Sequence, residues 1–195
     1  VVALAVTVFI AAGCSSGSTV SDSAPPLPDP NQERVVFIAL GGDETVNRQL
    51  DDPFRDAWTQ RVFTRALPRS AVYVNFARPE ATVSAGVGEQ LPLALALDPT
   101  VATVWFGEGD VQNATSDVSF AGNLSEIVDE LEKAGTRVLL LTRPEGNGTD
   151  ARFAEAIQQV AATTAATVVR VPDGDLRLAS TQVAIADAVA AKLTG

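Results

Sequence analysis

Carboxylates crowd the positions where this chain could do chemistry. Asp43 and Glu44, Glu80, Glu108 and Asp110, and Asp173 and Asp175 each follow a short apolar run, and Arg78, Arg143 and Arg177 share those segments. Two chemistries suit such a set. Oxygen ligands hold hard cations such as calcium or magnesium, and two carboxyl groups with separated pKa values can work as an acid and base pair. The plainer and commoner arrangement is loop acids that pair with arginine or cap the helices that follow. None of these segments makes a calcium-loop pattern, and no metal ligand set is read from them.

Composition removes other chemistry. The 195 residues include no histidine, no methionine and one cysteine. A Ser-His-Asp or Cys-His nucleophile pair, a histidine zinc ligand and an internal disulfide are therefore excluded. With 24 acidic against 14 basic side chains the formal charge is −10, which argues against nucleic acid as a partner, since phosphate binding needs clustered Lys and Arg. Gly41-Gly42 lacks the remaining glycines and the lysine of a nucleotide-binding loop, so no cofactor is expected.

The acids matter because of the elements that must position them. From Arg34 onward, β-branched runs alternate with segments of helical period, the signature of a parallel α/β sheet. Five strands are expected at Val35 to Leu40, Ala71 to Phe76, Val101 to Phe106, Arg137 to Thr142 and Ala166 to Val171; their near-continuous apolar character fits strands covered on both faces. Phe54, Trp58, Val62, Phe63 and Ala66 recur at helical spacing, as do Phe120, Leu124, Ile127, Val128 and Leu131, and both stripes read as core. Phe153, Ile157 and Val160 mark a further helix, and Val183, Ile185, Val189 and Leu193 a last one. In the second connection, interrupted by Gly86, Gly88 and Pro92, a helix is expected to start late, near Pro92. In an open parallel sheet, ligands bind beyond the carboxyl ends of the strands, which is where the acids fall.

Residues 1–12 are apolar and uncharged but shorter than the ~20 residues a bilayer span requires. They run into Ala11-Ala12-Gly13-Cys14, which resembles a bacterial lipobox, in which the signal is cut before a cysteine that is then lipidated on sulfur. On this reading residues 1–13 are a signal peptide and Cys14 is a lipid anchor. Residues 14–33, rich in Ser, Pro and Asp, form a disordered tether, and residues 34–195 form the domain.

The loop sequences suggest a family. From Val35 to Leu193 the chain resembles the SGNH (GDSL-type) hydrolases, most closely over Val74 to Val111. The resemblance implies a three-layer α/β/α sandwich with a five-stranded parallel sheet of flavodoxin-like order 2-1-3-4-5. It also implies where a hydrolytic site would lie. The family's Gly-Asp-Ser nucleophile segment corresponds to Gly41-Gly42-Asp43-Glu44-Thr45, so the serine is replaced by Asp43 or Glu44, depending on register, with the hydroxyl of Thr45 just beyond. Glu80 occupies the position of the glycine whose N–H holds the oxyanion, and Gly109, in Gly107-Glu108-Gly109-Asp110, that of the asparagine of the oxyanion hole. In the closing Asp-x-x-His block, Asp173 is retained and Leu176 replaces the histidine.

The expectation that follows is a lipid-anchored, non-catalytic protein of the cell envelope, held at the membrane and binding a glycan, lipid or protein partner. The candidate cleft residues are Asp43, Glu44, Thr45, Glu80, Glu108, Asp110, Asp173 and Asp175. The alternative is a hydrolase with a carboxylate or metal-assisted mechanism, since two suitably spaced carboxylates can hydrolyse glycosides without histidine.

Overall fold

Strands buried on both faces divide their side chains between two layers, because successive residues point to opposite sides of a sheet. The computed structural model describes residues 34–143 and 150–194 and shows this division directly. In β1 (Val36–Gly41), Ile38 and Leu40 enter one apolar cluster while Phe37 enters another. In β3 (Val101–Trp105) and β4 (Arg137–Thr142), Val104, Val138 and Leu140 join the first, and Trp105, Leu139 and Leu141 the second. With β2 (Val72–Asn75) and β5 (Thr167–Arg170) these strands form one parallel sheet of order β2-β1-β3-β4-β5.

Helices cover both faces. After β1 come the short α1 (Asp43–Val46) and α2 (Pro53–Asp56) and then α3 (Trp58–Ala66). Between β2 and β3 lie α4 (Val83–Ala85), a π-helical turn at Gly86–Gln90, and α5 (Leu91–Leu95). After β3 come α6 (Glu108–Gln112) and α7 (Asp117–Lys133), followed beyond β4 by a 3-10 turn, Asp150–Phe153, and α8 (Ala154–Thr163). The last helix is α9 (Ala179–Leu193). Phe120, Leu124, Ile127, Val128 and Leu131 of α7 all bury, as their spacing predicts, each contributing about 1.5–3 kcal/mol. Trp58 and Val62 of α3, with Ile185 and Val189 of α9, seal the other face.

Two expectations are corrected. Phe54 is 89% exposed, because Pro53 opens a separate turn and Ala57 is extended (φ −59°, ψ 141°), which resets the helical phase before α3. The second connection turns helical at Val83, capped by the Thr82 side chain, well before Pro92. Gly86 is needed there rather than disruptive, since a Cβ would sit 2.5 Å from the Phe106 ring. Cys14 and the tether lie outside the described residues. Among those described, no helix is long and apolar enough to cross a membrane.

Candidate functional site

The site grows from the end of β1. A Cβ on Gly41 would lie 2.3 Å from the Trp105 carbonyl oxygen and 2.4 Å from Thr45 Oγ1, so only glycine lets the chain turn there. The buried side chain of Gln90 clamps this residue, accepting from its N–H at 2.9 Å and donating to its carbonyl at 3.0 Å. From this fixed turn Asp43 and Glu44 diverge. Asp43 faces the β2–α4 loop, where its Oδ2 accepts the backbone N–H of Glu80 at 2.7 Å and its Oδ1 meets Arg48 at 3.1 Å. The Glu80 carboxylate reaches the same guanidinium at 4.0 Å. Glu44 turns inward, 1% exposed, and its Oε1 accepts the N–H of Glu108 at 2.7 Å.

Glu80 adopts the left-handed backbone region (φ 59°), which costs a residue with a Cβ about 1–2 kcal/mol. Glu80→Gly keeps the N–H that Asp43 accepts and relieves that strain, so it is expected to stabilise the protein by up to about 1 kcal/mol in urea unfolding. A loss of stability would show that the exposed contact to Arg48 outweighs the strain.

The same loop lies flat on α6. A Cβ on Gly109 would approach the Ala81 carbonyl oxygen to 2.5 Å and that of Glu80 to 2.7 Å. Beneath it, Asp110 is fully buried and accepts the N–H of Val83 with both oxygens, at 3.2 and 3.0 Å. Burial pushes its carboxyl pKa up, against the lowering effect of the hydrogen bonds from Val83 and Thr115. The folded carboxyl therefore binds its proton more tightly than the unfolded one. Stability from this group is full below the ordinary aspartate range, about pH 4, and is lost as pH rises through the folded pKa. Asp110→Asn removes that dependence, and the difference in unfolding free energy between the two proteins is expected to change over this acid window and to be flat above it.

Beyond β5, Leu176 is 8% exposed and packs in the cluster that holds Trp58, Trp105, Val171 and Ile185. Its carbonyl accepts from Gln182 Nε2 at 2.6 Å; the same amide donates to Asn47 Oδ1 at 2.8 Å and accepts the backbone N–H of Trp58 at 2.8 Å. This fully buried glutamine ties the last loop to the turn after β1. Asp173 and Asp175 are exposed on that loop. Asp175 pairs with Arg177 at 2.7 Å, which holds its pKa down at about 2.

The candidate acids therefore separate into distinct arrangements. Asp43 and Glu80 come together around Arg48, and Glu44 meets the backbone of Glu108, while Asp175 is taken up by its own neighbour. Of the candidate cleft residues, Glu44, Thr45 and Asp110 are 1%, 0% and 0% exposed, because each turns under the loops to meet the protein interior. Thr45 Oγ1 is buried without a hydrogen-bond partner. Of the loop arginines, Arg78 pairs with Glu89 at 2.6 Å and Arg143 lies over the Trp105 ring. Among the described residues, no three His, Cys, Asp or Glu side chains are grouped to hold a metal ion.

Arg48, Gln90 and Gln182 escaped the sequence reading. Gln182 carried a signal, since it shares the helical phase of Ile185, Ala186 and Val189, which bury. Arg48 carried none, as its pairing depends on the turn at Asn47 (φ 56°).

Residues 42–188 match the model of the GDSL-like lipase/acylhydrolase family. Solved structures share the fold at low sequence identity. The psychrotrophic esterase EstA from Pseudoalteromonas sp. superposes with a TM-score of 0.65 at 16% identity, covering 82% of this chain and 96% of its own. An acetylxylan esterase from Geobacillus stearothermophilus gives 0.69 at 14% identity, covering 83% and 94%. A member of the lipolytic G-D-S-L family from Veillonella parvula gives 0.64 at 13% identity, covering 82% and 98%. No curated protein matches in sequence.

Proposed function

The chain belongs to the GDSL-like lipase/acylhydrolase family, and from that premise we propose that it is a non-hydrolytic member, a lipid-anchored envelope protein that works by binding. One observation carries this reading. The Asp43 carboxylate accepts the Glu80 N–H at 2.7 Å, so a negative charge of the protein's own occupies the donor that the family pattern assigns to a developing oxyanion. An acyl substrate would have to displace that carboxylate and then develop its charge beside it.

The neighbouring positions support the same reading. Gly109 has no side chain to donate, and losing one such donor typically costs about 10²- to 10³-fold in rate. Leu176 is part of the apolar core and supplies no base. Nucleophile, base and oxyanion donors act as a unit in acyl transfer, so their joint absence removes the route rather than slowing it.

At the surface beside this donor, a pair of carboxylates, Asp43 and Glu80, is held around the half-exposed Arg48. Such a surface favours polyols and amine-bearing glycans over acyl anions. Titration with a glucosamine oligomer, followed by amide NMR shifts, is expected to give saturable changes at Arg48 and Glu80 that vanish in the Asp43→Ala, Glu80→Ala double variant. Binding that survives both substitutions would place the ligand elsewhere. The anchor is tested separately: Cys14→Ser is expected to abolish palmitate incorporation and release the protein from the membrane fraction, and continued labelling would rule the anchor out.

A further inference from the structure

Charge is unevenly distributed along the strand axis. Where the strands end lie Asp43, Glu80, Glu89, Glu108, Asp173 and Asp175. Where they begin lie cations: Arg34 just before β1, Arg69 just before β2, Arg137 at the first position of β4, and Arg65 and Lys192 in the last turns of α3 and α9. All five are exposed. The pairings Val36 with Val72, Phe37 with Val101 and Val101 with Arg137 set the first residues of these strands side by side. Arg137 donates to the Leu193 carbonyl at 3.2 Å and to that of Lys192, which brings the end of α9 to the same place. Arg65 and Thr194 line one groove there.

Few acids answer these cations. Glu130 is taken by Lys133 at 2.6 Å, and Glu132 accepts the N–H of Ala165 at 3.2 Å. Asp98, in the turn before β3, remains, together with Asp129 beside Lys133 on α7 and Asp187, which lines the same groove as Arg65. Arg65 and Lys192 also complement helix C-termini, but Arg34 and Arg69 belong to no helix.

We infer that this end of the domain rests against an anionic lipid surface, with Arg34, Arg65, Arg69, Arg137 and Lys192 toward the lipid phosphates and the candidate site facing away. The formal charge of −10 does not prevent this, because screening is local. A six-residue strand is about 20 Å long, so the acids at its far end lie more than two Debye lengths, about 8 Å each, from a surface touching its start. Each Lys or Arg near such a surface is worth about fivefold in affinity. The lipid surface is favoured over other polyanions because the anchor proposed at Cys14 connects to the domain through Arg34, which lies on this same end. The inference takes its orientation from the anchor proposed above, but the contact itself belongs to the folded domain.

The test couples the full chain through Cys14, its only cysteine, to a maleimide lipid in nanodiscs carrying a gadolinium headgroup, and reads amide broadening by NMR. In phosphatidylglycerol discs, broadening at Arg69, Asp98 and Lys192 is expected to exceed that at Glu80 and Asp173 several-fold, because paramagnetic broadening falls steeply with distance and the latter two lie about 20 Å farther from the surface. The excess is expected to vanish in phosphatidylcholine discs, at about 0.5 M salt, and in the Arg69→Glu, Lys192→Glu double variant, but to persist in Arg55→Glu. Equal broadening at both ends in phosphatidylglycerol would overturn the inference. So would a double variant that loses thermal stability while its broadening is unchanged, which would assign these cations to the helix ends alone. Because the coupling is chemical, absence of natural lipidation would appear in the palmitate experiment and leave this outcome intact.

Discussion

Gly109→Asn, which restores the side chain that the family pattern places in the oxyanion hole, is expected to destabilise the protein by about 3 kcal/mol and to confer no hydrolysis. Its Cβ would meet two backbone carbonyl oxygens, of Ala81 at 2.5 Å and of Glu80 at 2.7 Å. Neither can rotate aside as a side chain would. The β2–α4 loop must move as a whole, and it is pinned at both ends of the contact, by Asp43 on the Glu80 N–H and by Asp110 on the Val83 N–H. Urea unfolding measures the cost. A change below about 1 kcal/mol would mean that the loop yields easily and that the close approach at Gly109 is incidental.

Asp43→Ser combined with Leu176→His returns the nucleophile and the imidazole, yet ester turnover is expected to stay at the spontaneous rate. Leu176 lies among Trp58, Trp105 and Ile185, so an imidazole in its place is either buried without a partner, at a cost of about 1–3 kcal/mol, or must leave the core. Gly42 and Gly109 still supply neither the acid nor the donor side chain of the family pattern. The double variant is therefore expected to be less stable by about 2–3 kcal/mol, from lost apolar packing as well as the buried polar ring. Saturable turnover of p-nitrophenyl acetate by this variant would show that the site needs only two residues to revive.

The sheet was legible because strands covered on both faces need unbroken apolar runs, and α7 because its five core residues keep one helical phase. Phe54 misled because Pro53 and Ala57 break the phase within four residues, a backbone event that side-chain spacing does not record. The early start of the second connection was hidden for a related reason: the π-helical turn at Gly86–Gln90 departs from the ordinary period, and its glycines look like breaks.

The site was legible only as a set of positions. Asp43, Glu80, Gly109 and Leu176 could be marked as departures from a family pattern, but not the contacts they make. Asp43 and Glu80 are 37 residues apart, and nothing local announces that one accepts the other's backbone N–H. The burial of Glu44 and Asp110 ran against the ordinary expectation that acids stay in water; each is kept inside by backbone N–H groups supplied from other loops.

Whether Asp43, fixed on the Glu80 N–H, marks a site that no longer hydrolyses esters can be measured. The most direct measurement is steady-state hydrolysis of p-nitrophenyl acetate by the purified protein, side by side with Asp43→Ala. The predicted result is a rate equal to spontaneous hydrolysis for both, with no saturation. Saturable turnover by the unaltered protein that Asp43→Ala abolishes would contradict it, making Asp43 a working catalytic group.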